Sequence, residues 1–299
     1  MFATYSHDWA RRWAHGWAQG RVVGIVLAGA LLVQPLMALT ASAQQSAPKI
    51  APDRCLALAW NSRPAPAGRY VQKAAMRIAN LQPYQVRVTF MGHATFLIES
   101  PKGVKVATDY AIPIQPPHTP DIVTMNNSHE SHYTDTPQKE ITHVVRGWNP
   151  NGGPALHDLT VQDIRVRNVP TNVRSWSGGT REYGNSIFIF EIGGLCIAHL
   201  GHLHHTLTTQ QLANIGQMDV VMVPVDGSYT LDYPGMFEVL QAMKPRYIIP
   251  MHYFSRFTLD RFLSQARKTY KVTELAVPTT VISKDRLPAN TEVLVLPGN

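Results

Sequence analysis

The sequence predicts an α/β protein, with sheets covered by helices on their outer faces. Three observations carry that expectation. Residues 86–199 read as short strands separated by turns, and residues beyond 208 alternate helix with strand. Several apolar strands also run straight into histidines.

Taken in order, residues 86–90 (VRVTF) alternate with period two and are rich in β-branched side chains, the mark of a half-buried strand. Strands follow at 94–99 and 104–108 across the turn Pro101-Lys102-Gly103, forming a meander. Further strands fall at 121–125, 142–145, 164–169, 186–192 and 195–199, with Gly193-Gly194 turning the last pair into a hairpin. Helices are expected at 208–215, at 234–243 with Pro234 in its first turn, and at 259–269. Strands at 219–224, 246–250, 280–282 and 292–296 interleave with them. Ahead of all this, 44–68 is rich in Pro, Ala, Ser and Gln and reads as a tether, and 69–81 has helical spacing. No internal repeat is visible.

Residues 1–43 are set apart from the fold. Arg11, Arg12 and Arg21 precede an apolar run, and Ala41-Ser42-Ala43 supplies a small-residue cleavage site, so a secretory signal peptide cut after Ala43 is expected. A single membrane anchor is the alternative, weakened by Gly24, Gly29 and Pro35. Arg11-Arg12 is the pair of a twin-arginine signal, but Trp13-Ala14-His15 do not continue it. The expected organisation is therefore signal peptide 1–43, arm and short helix 44–85, and one domain at 86–299, exported to a periplasm or medium. No stable membrane span remains after cleavage.

The chain carries a net charge of +7, and three Arg and one Asp in residues 1–43 leave +5 for the remainder. No run of Lys and Arg exists to follow a phosphate backbone, which excludes nucleic acid as the partner class. A small-molecule substrate, anionic or not, suits the balance. An oxidising compartment would permit a disulfide between Cys55 and Cys196, yet Cys196 lies in the apolar run Leu195-Cys196-Ile197-Ala198, which favours a buried free thiol.

The chemistry sits at strand ends. The strand 121–125 leads to His129 and His132, 195–198 leads to His199, His202, His204 and His205, and 247–251 leads to His252. Loops past neighbouring strand ends converge in space, held by a rigid sheet. Neutral imidazole is the commonest nitrogen ligand for zinc, and three or four suffice for a tetrahedral ion. Singly, each histidine also reads as a solvated or packed residue; together they read as a metal site. His199, inside its strand, reads as structural, and His204 and His205 rank below His202.

At these residues the chain resembles the metallo-β-lactamase superfamily, in particular metal-dependent hydrolases akin to ascorbate-6-phosphate lactonase and the N-acylphosphatidylethanolamine phospholipase D group. The resemblance covers roughly 86–256: the hairpin 88–99, Val106-Ala107-Thr108-Asp109-Tyr110, residues 196–202, Met222-Val223-Pro224-Val225-Asp226-Gly227, and Ile249-Pro250-Met251-His252-Tyr253. It implies an αβ/βα four-layer sandwich with metals at one edge between two sheets. The family's His-x-His-x-Asp-His corresponds to Asn127-Ser128-His129-Glu130-Ser131-His132, so a histidine and the Asp are replaced. Its next ligand histidine should fall within 169–173, where none stands, and its bridging Asp is replaced by His202. The expectation is a single ion, zinc or another transition metal, on His132, His202 and His252, with His129 as fourth ligand or close neighbour.

Three histidines and one open position would supply a metal-bound hydroxide for hydrolysis of an ester, lactone or phosphoester. Four protein ligands would close the site. With the signature Asp gone, Glu130, Asp135, Asp226 and Asp109 are the candidate bases, each equally readable as a solvated acid or turn cap. His93, Arg174, Trp176 and His204 are candidate substrate contacts, as are Arg181 and the segment Arg146-Gly147-Trp148-Asn149. Two function classes stay open: a hydrolase, and a non-catalytic metal- or ligand-binding member of the same fold.

Overall fold

The structure is a computed structural model that describes residues 55–56, 80–112, 114–175 and 177–298. The signal segment, the arm, the helix expected at 69–81 (its last two residues aside) and Trp176 lie outside the described residues.

Two mixed sheets form the body. The first holds β1 (Gln85–Gly92), β2 (Thr95–Glu99), β3 (Lys105–Ala107), β4 (Ile122–Met125), β5 (His143–Arg146) and β13 (Thr279–Ser283), in spatial order β13-β1-β2-β3-β4-β5. The second holds β6 (Asp158–Val161), β7 (Ile164–Arg174), β8 (Thr180–Ile192), β9 (Leu195–His199), β10 (Val220–Pro224), β11 (Tyr247–Met251), β12 (Lys271–Glu274) and β14 (Glu292–Val295), in order β12-β14-β11-β10-β9-β8-β7-β6. Three helices, α1 (Thr209–Ile215), α2 (Tyr233–Met243) and α3 (Arg256–Ala266), are capped by Thr208, Asp232 and Ser255.

Strand alternation sorts the side chains into layers. In β10, Val220 and Met222 enter the core between the sheets, while Val221 and Val223 face α2 and α3. In β8, Phe188 and Phe190 go inward and Ile187 and Ile189 outward. Phe90, Phe96, Ile98 and Val106 answer them from the first sheet. Such strands are apolar on both faces, which is why they read as continuous apolar runs. A smaller cluster of Ala107, Tyr110, Val123, Met125 and Ile141 lies apart, with Trp148 edge-on to Tyr133 beside it. Trp148 is thus a packing residue rather than a free substrate cover.

Two groups of strands are parallel: β3, β4 and β5 in one sheet, and β9, β10, β11, β14 and β12 in the other. Their C-terminal ends therefore lie along single edges. Short polar strands escape the sequence reading: β6 exposes alternate residues, β12 exposes its two ends, and neither has a buried residue.

Cys55 and Cys196 are joined in a disulfide, correcting the expectation of a free thiol. The reason is alternation. Leu195 and Ile197 point between the sheets, but Cys196 points to the outer layer, where Cys55 joins the same cluster. The bond closes a loop spanning 141 residues, a tie of the kind that contributes about 2–4 kcal/mol by restricting the unfolded chain. Replacing both cysteines by serine should lower the urea midpoint accordingly, and reductant should shift the midpoint of the unmodified protein only. Superimposable unfolding curves for the two proteins would contradict this.

Candidate metal centre

Every ring in the central cluster comes from just past a strand end. His93 follows β1, His132 follows β4, His202 follows β9 and His252 follows β11. His93, Asp109 and His252 all adopt positive φ, at 51°, 42° and 58°. This left-handed conformation disfavours L residues and is retained where surrounding structure enforces it. One such constraint is on view: the His252 N–H donates to the His93 carbonyl at 2.6 Å, tying the two sheets together.

The ring nitrogens converge. His202 Nδ1 lies 2.7 Å from His132 Nε2 and 3.1 Å from His252 Nε2, and those two Nε2 atoms are 3.2 Å apart. His93 brings a nitrogen within 4.8 Å of those of His132 and His252. Nitrogens bound at 2.0–2.1 Å in a tetrahedron are about 3.3 Å apart, so this triangle is close to ligand spacing.

The far side of each ring explains its direction. His132 Nδ1 lies 2.8 Å from Asp109 Oδ2, and His252 Nδ1 lies 3.0 Å from Asp226 Oδ2. A carboxylate accepts, so His132 Nδ1 carries the proton and its Nε2 presents a lone pair. His252 Nδ1 faces Asp226 at ion-pair distance without hydrogen-bond geometry, and the carboxylate favours the same tautomer there. Two lone pairs then face each other at 3.2 Å in a buried space. A proton on His202 Nδ1 could satisfy one of them, never both. A cation among the three satisfies all, and on this ground the residues fit a metal ion.

The carboxylates are themselves held. Asp109 Oδ1 accepts from the Asn126 N–H at 2.8 Å. Complete burial raises Asp109 to about 6, against the pull of His199 and that N–H. Asp226 Oδ1 accepts from the backbone N–H groups of Ser228, Tyr229 and Thr230, and its Oδ2 from the Thr230 hydroxyl. Burial opposes its charge, but His252, Thr230 and these amides together hold it well below the usual carboxylate range. Burial lowers the histidines: His93 to about 3 and His204 to about 4, with His132, His199 and His202 also depressed.

The remaining candidates fall outside this group. His129 is exposed, with its Nδ1 2.8 Å from Ser131 Oγ and its ring 6.0 Å from that of His202, so it is a neighbour and not part of the triangle. Glu130 and Asp135 are exposed on the same turn. Asp109 and Asp226 have their oxygens committed and orient histidines, so neither stands free as a base. Arg174, expected as a substrate contact, instead donates through its guanidinium to the carbonyls of Ser228, Tyr229 and Thr230 at 2.8–2.9 Å, so it braces the Asp226 turn rather than presenting a fork to a substrate. His204 Nδ1 accepts from the Arg174 N–H, and His199 is structural as expected, its Nε2 on the Ala94 carbonyl. The sites where the family has other donors are spent locally. Asn127 Oδ1 accepts from the His129 N–H, and Thr171 Oγ1 accepts from Asn185.

Gly201 makes the His202 turn possible. At φ +58° an added Cβ would come within 2.5 Å of Asn126 Cβ. Sequence reasoning under-ranked His93, although β1 runs into it as other strands run into their histidines.

The family described as beta-lactamase superfamily domain matches residues 87–252. A metal-dependent hydrolase of Carboxydothermus hydrogenoformans is 27% identical over 197 residues, 56% of this chain and 84% of that protein. One of Thermoplasma acidophilum is 27% identical over 194 residues, 56% of this chain and 83% of its own. A solved Thermotoga maritima structure, described as a zinc-dependent hydrolase of the metallo-β-lactamase superfamily, superposes with a TM-score of 0.53. It is 28% identical, over 72% of this chain and 100% of that one.

The buried histidines set a pH dependence for the metal-free protein. An unfolded histidine protonates near 6.5, whereas His204 and His93 do so only near 4 and 3. Their stabilisation is present above 6.5 and is lost as pH falls, by at most roughly 2 kcal/mol each at pH 5. Asp109, raised to about 6, acts in the opposite sense between 3.8 and 6. One carboxyl opposes five depressed histidines, so the urea midpoint of chelator-treated protein should fall from pH 7.5 to pH 5. An unchanged or higher midpoint at pH 5 would refute the assignment.

Proposed function

Because the chain belongs to the metallo-β-lactamase superfamily, we propose that it is a hydrolase whose activity depends on one transition-metal ion, zinc by default, held by His132, His202 and His252. The observation that carries this reading is the pair of Nε2 lone pairs, aimed at each other by Asp109 and Asp226 and spaced 3.2 Å apart. An ion bound there supplies a Lewis acid and an acidified water, suited to an ester, lactone or phosphoester.

The protein's own residues have distinct tasks. Asp109 and Asp226 fix tautomer and ring direction. His93, kept neutral by burial and by the neighbouring rings of His252 and His132, offers one donor and one acceptor nitrogen at the edge of the triangle. Export is part of the proposal. It rests on the N-terminal pattern of charge, apolar run and Ala41-Ser42-Ala43, and on a disulfide that oxidising compartments maintain.

A second reading, a metal- or ligand-binding protein without turnover, is favoured by one fact: both buried carboxylates are occupied in orienting histidines. Metal analysis and ester or phosphodiester hydrolysis, with and without chelator, separate the two. The protein should retain about one transition-metal ion per chain after dialysis. His132→Ala and His252→Ala should lose both ion and turnover. Asp226→Asn should weaken metal affinity by roughly 10–100-fold. His129→Ala should have little effect on metal content. A purified protein that takes up no transition metal from micromolar solution defeats the proposal, and metal without turnover on any substrate leaves the binding reading.

A further inference from the structure

We infer that the centre serves a substrate with an apolar acyl or aryl group, seated in the cavity that opens beside His93. This rests on the hydrolase reading above and narrows it from esters in general to hydrophobic ones.

The cavity measures about 370 Å³ and is bounded by Phe90, Tyr253, Leu259, Leu275 and Val295, with His93 in its wall. His93 also belongs to the nitrogen cluster, so one residue is common to the cavity and the reactive centre. A volume of this size suits a small organic ligand, and ligand sites are mostly apolar with a few placed polar groups. Phe254 stands in the same wall, 61% exposed, with its ring 5.8 Å from that of His93. Tyr229, 63% exposed, meets Phe254 edge-on at 5.6 Å. Large exposed aromatics clustered beside a reactive centre mark a binding surface rather than an ordinary solvated face.

The charges point the same way. Arg256 and Glu274 at the cavity wall neutralise each other at 2.7 Å, and Arg256 also pairs with Asp260. Arg174 is consumed by three carbonyls. Among the described residues, the lining holds no cation besides the paired Arg256 to select an anionic substrate.

The test uses full-length protein and two measurements. In the first, 4-nitrophenyl acetate, butyrate and octanoate are compared, and kcat/KM should rise at least tenfold from acetate to octanoate. In the second, calorimetry compares octanamide with acetamide, neutral ligands that report on the cavity without turnover; octanamide should bind and acetamide should not. Phe254→Ser, at an exposed position, should leave folding and metal content unchanged. It should cut octanoate turnover and octanamide affinity several-fold, and acetate turnover by a clearly smaller factor. Octanamide binding lost in Phe254→Ser, with no ester hydrolysed, would uphold the cavity and overturn only the hydrolase reading. Hydrolysis indifferent to chain length, with no octanamide binding, would overturn the inference and leave the hydrolase standing. Failure of both measurements overturns both.

Discussion

Asp109 and Asp226 each lie just beyond a strand, one in each sheet, and each faces the Nδ1 of a histidine that follows the adjacent parallel strand, Asp109 through a hydrogen bond and Asp226 through an ion-pair contact. Asp109 follows β3 and holds His132 beyond β4; Asp226 follows β10 and holds His252 beyond β11. The parallel pairing matters because it brings both members of each pair to the same edge. From there everything else in the centre is determined. Once Nδ1 is occupied, Nε2 must point inward, and the two sheets aim one lone pair each at the same place. His202, whose backbone N–H is fixed by Asn185 at 2.8 Å, completes the triangle from the second sheet.

The two pairs are not electrically alike, and the difference follows from donors. Asp226 sits on three backbone amides and a hydroxyl and keeps a full negative charge. Asp109 has one backbone amide besides His132 and is buried completely, so its charge is held less firmly. A buried cluster with a single secure carboxylate charge and several neutral imidazoles tolerates a positive ion far better than a proton on any one ring. This is the sense in which the depressed histidines belong with a metal site: unpaired imidazolium is penalised there, while nitrogen lone pairs stay available.

Much of this was legible in the sequence, for identifiable reasons. Strands β4, β9, β10 and β11 announced themselves because they are buried on both faces, and His132, His202 and His252 because they lie in the segments those strands lead into, His252 directly. Pro234, in the first turn of α2, marked that helix. What stayed hidden lacks a local signature. β6 and β12 are short and half exposed, so no apolar run reveals them. The disulfide depends on which face Cys196 takes, a matter of register and not of composition. Arg174 looked available because its partners, three carbonyls around position 229, are more than 50 residues away. The orienting part of Asp109 also needs a neighbour 23 residues on, and sequence cannot say whether such a carboxylate meets a ring or water.

The replaced family positions then acquire a physical meaning. A second cation would need donors at the places now held by Asn127, Ser131 and Thr171. Each of these instead closes a local hydrogen bond: Asn127 with the His129 amide, Ser131 with the His129 ring, Thr171 with Asn185. None of the three carries an imidazole or carboxylate. One of those bonds also serves the structure of the remaining centre, since Asn185, which donates to Thr171, is the residue that fixes the His202 amide. Replacing Thr171 would remove one of the two hydrogen bonds that the Asn185 amide donates, the other going to the Leu200 carbonyl. The departures from the family pattern are thus built into local hydrogen bonding around His129 and Asn185.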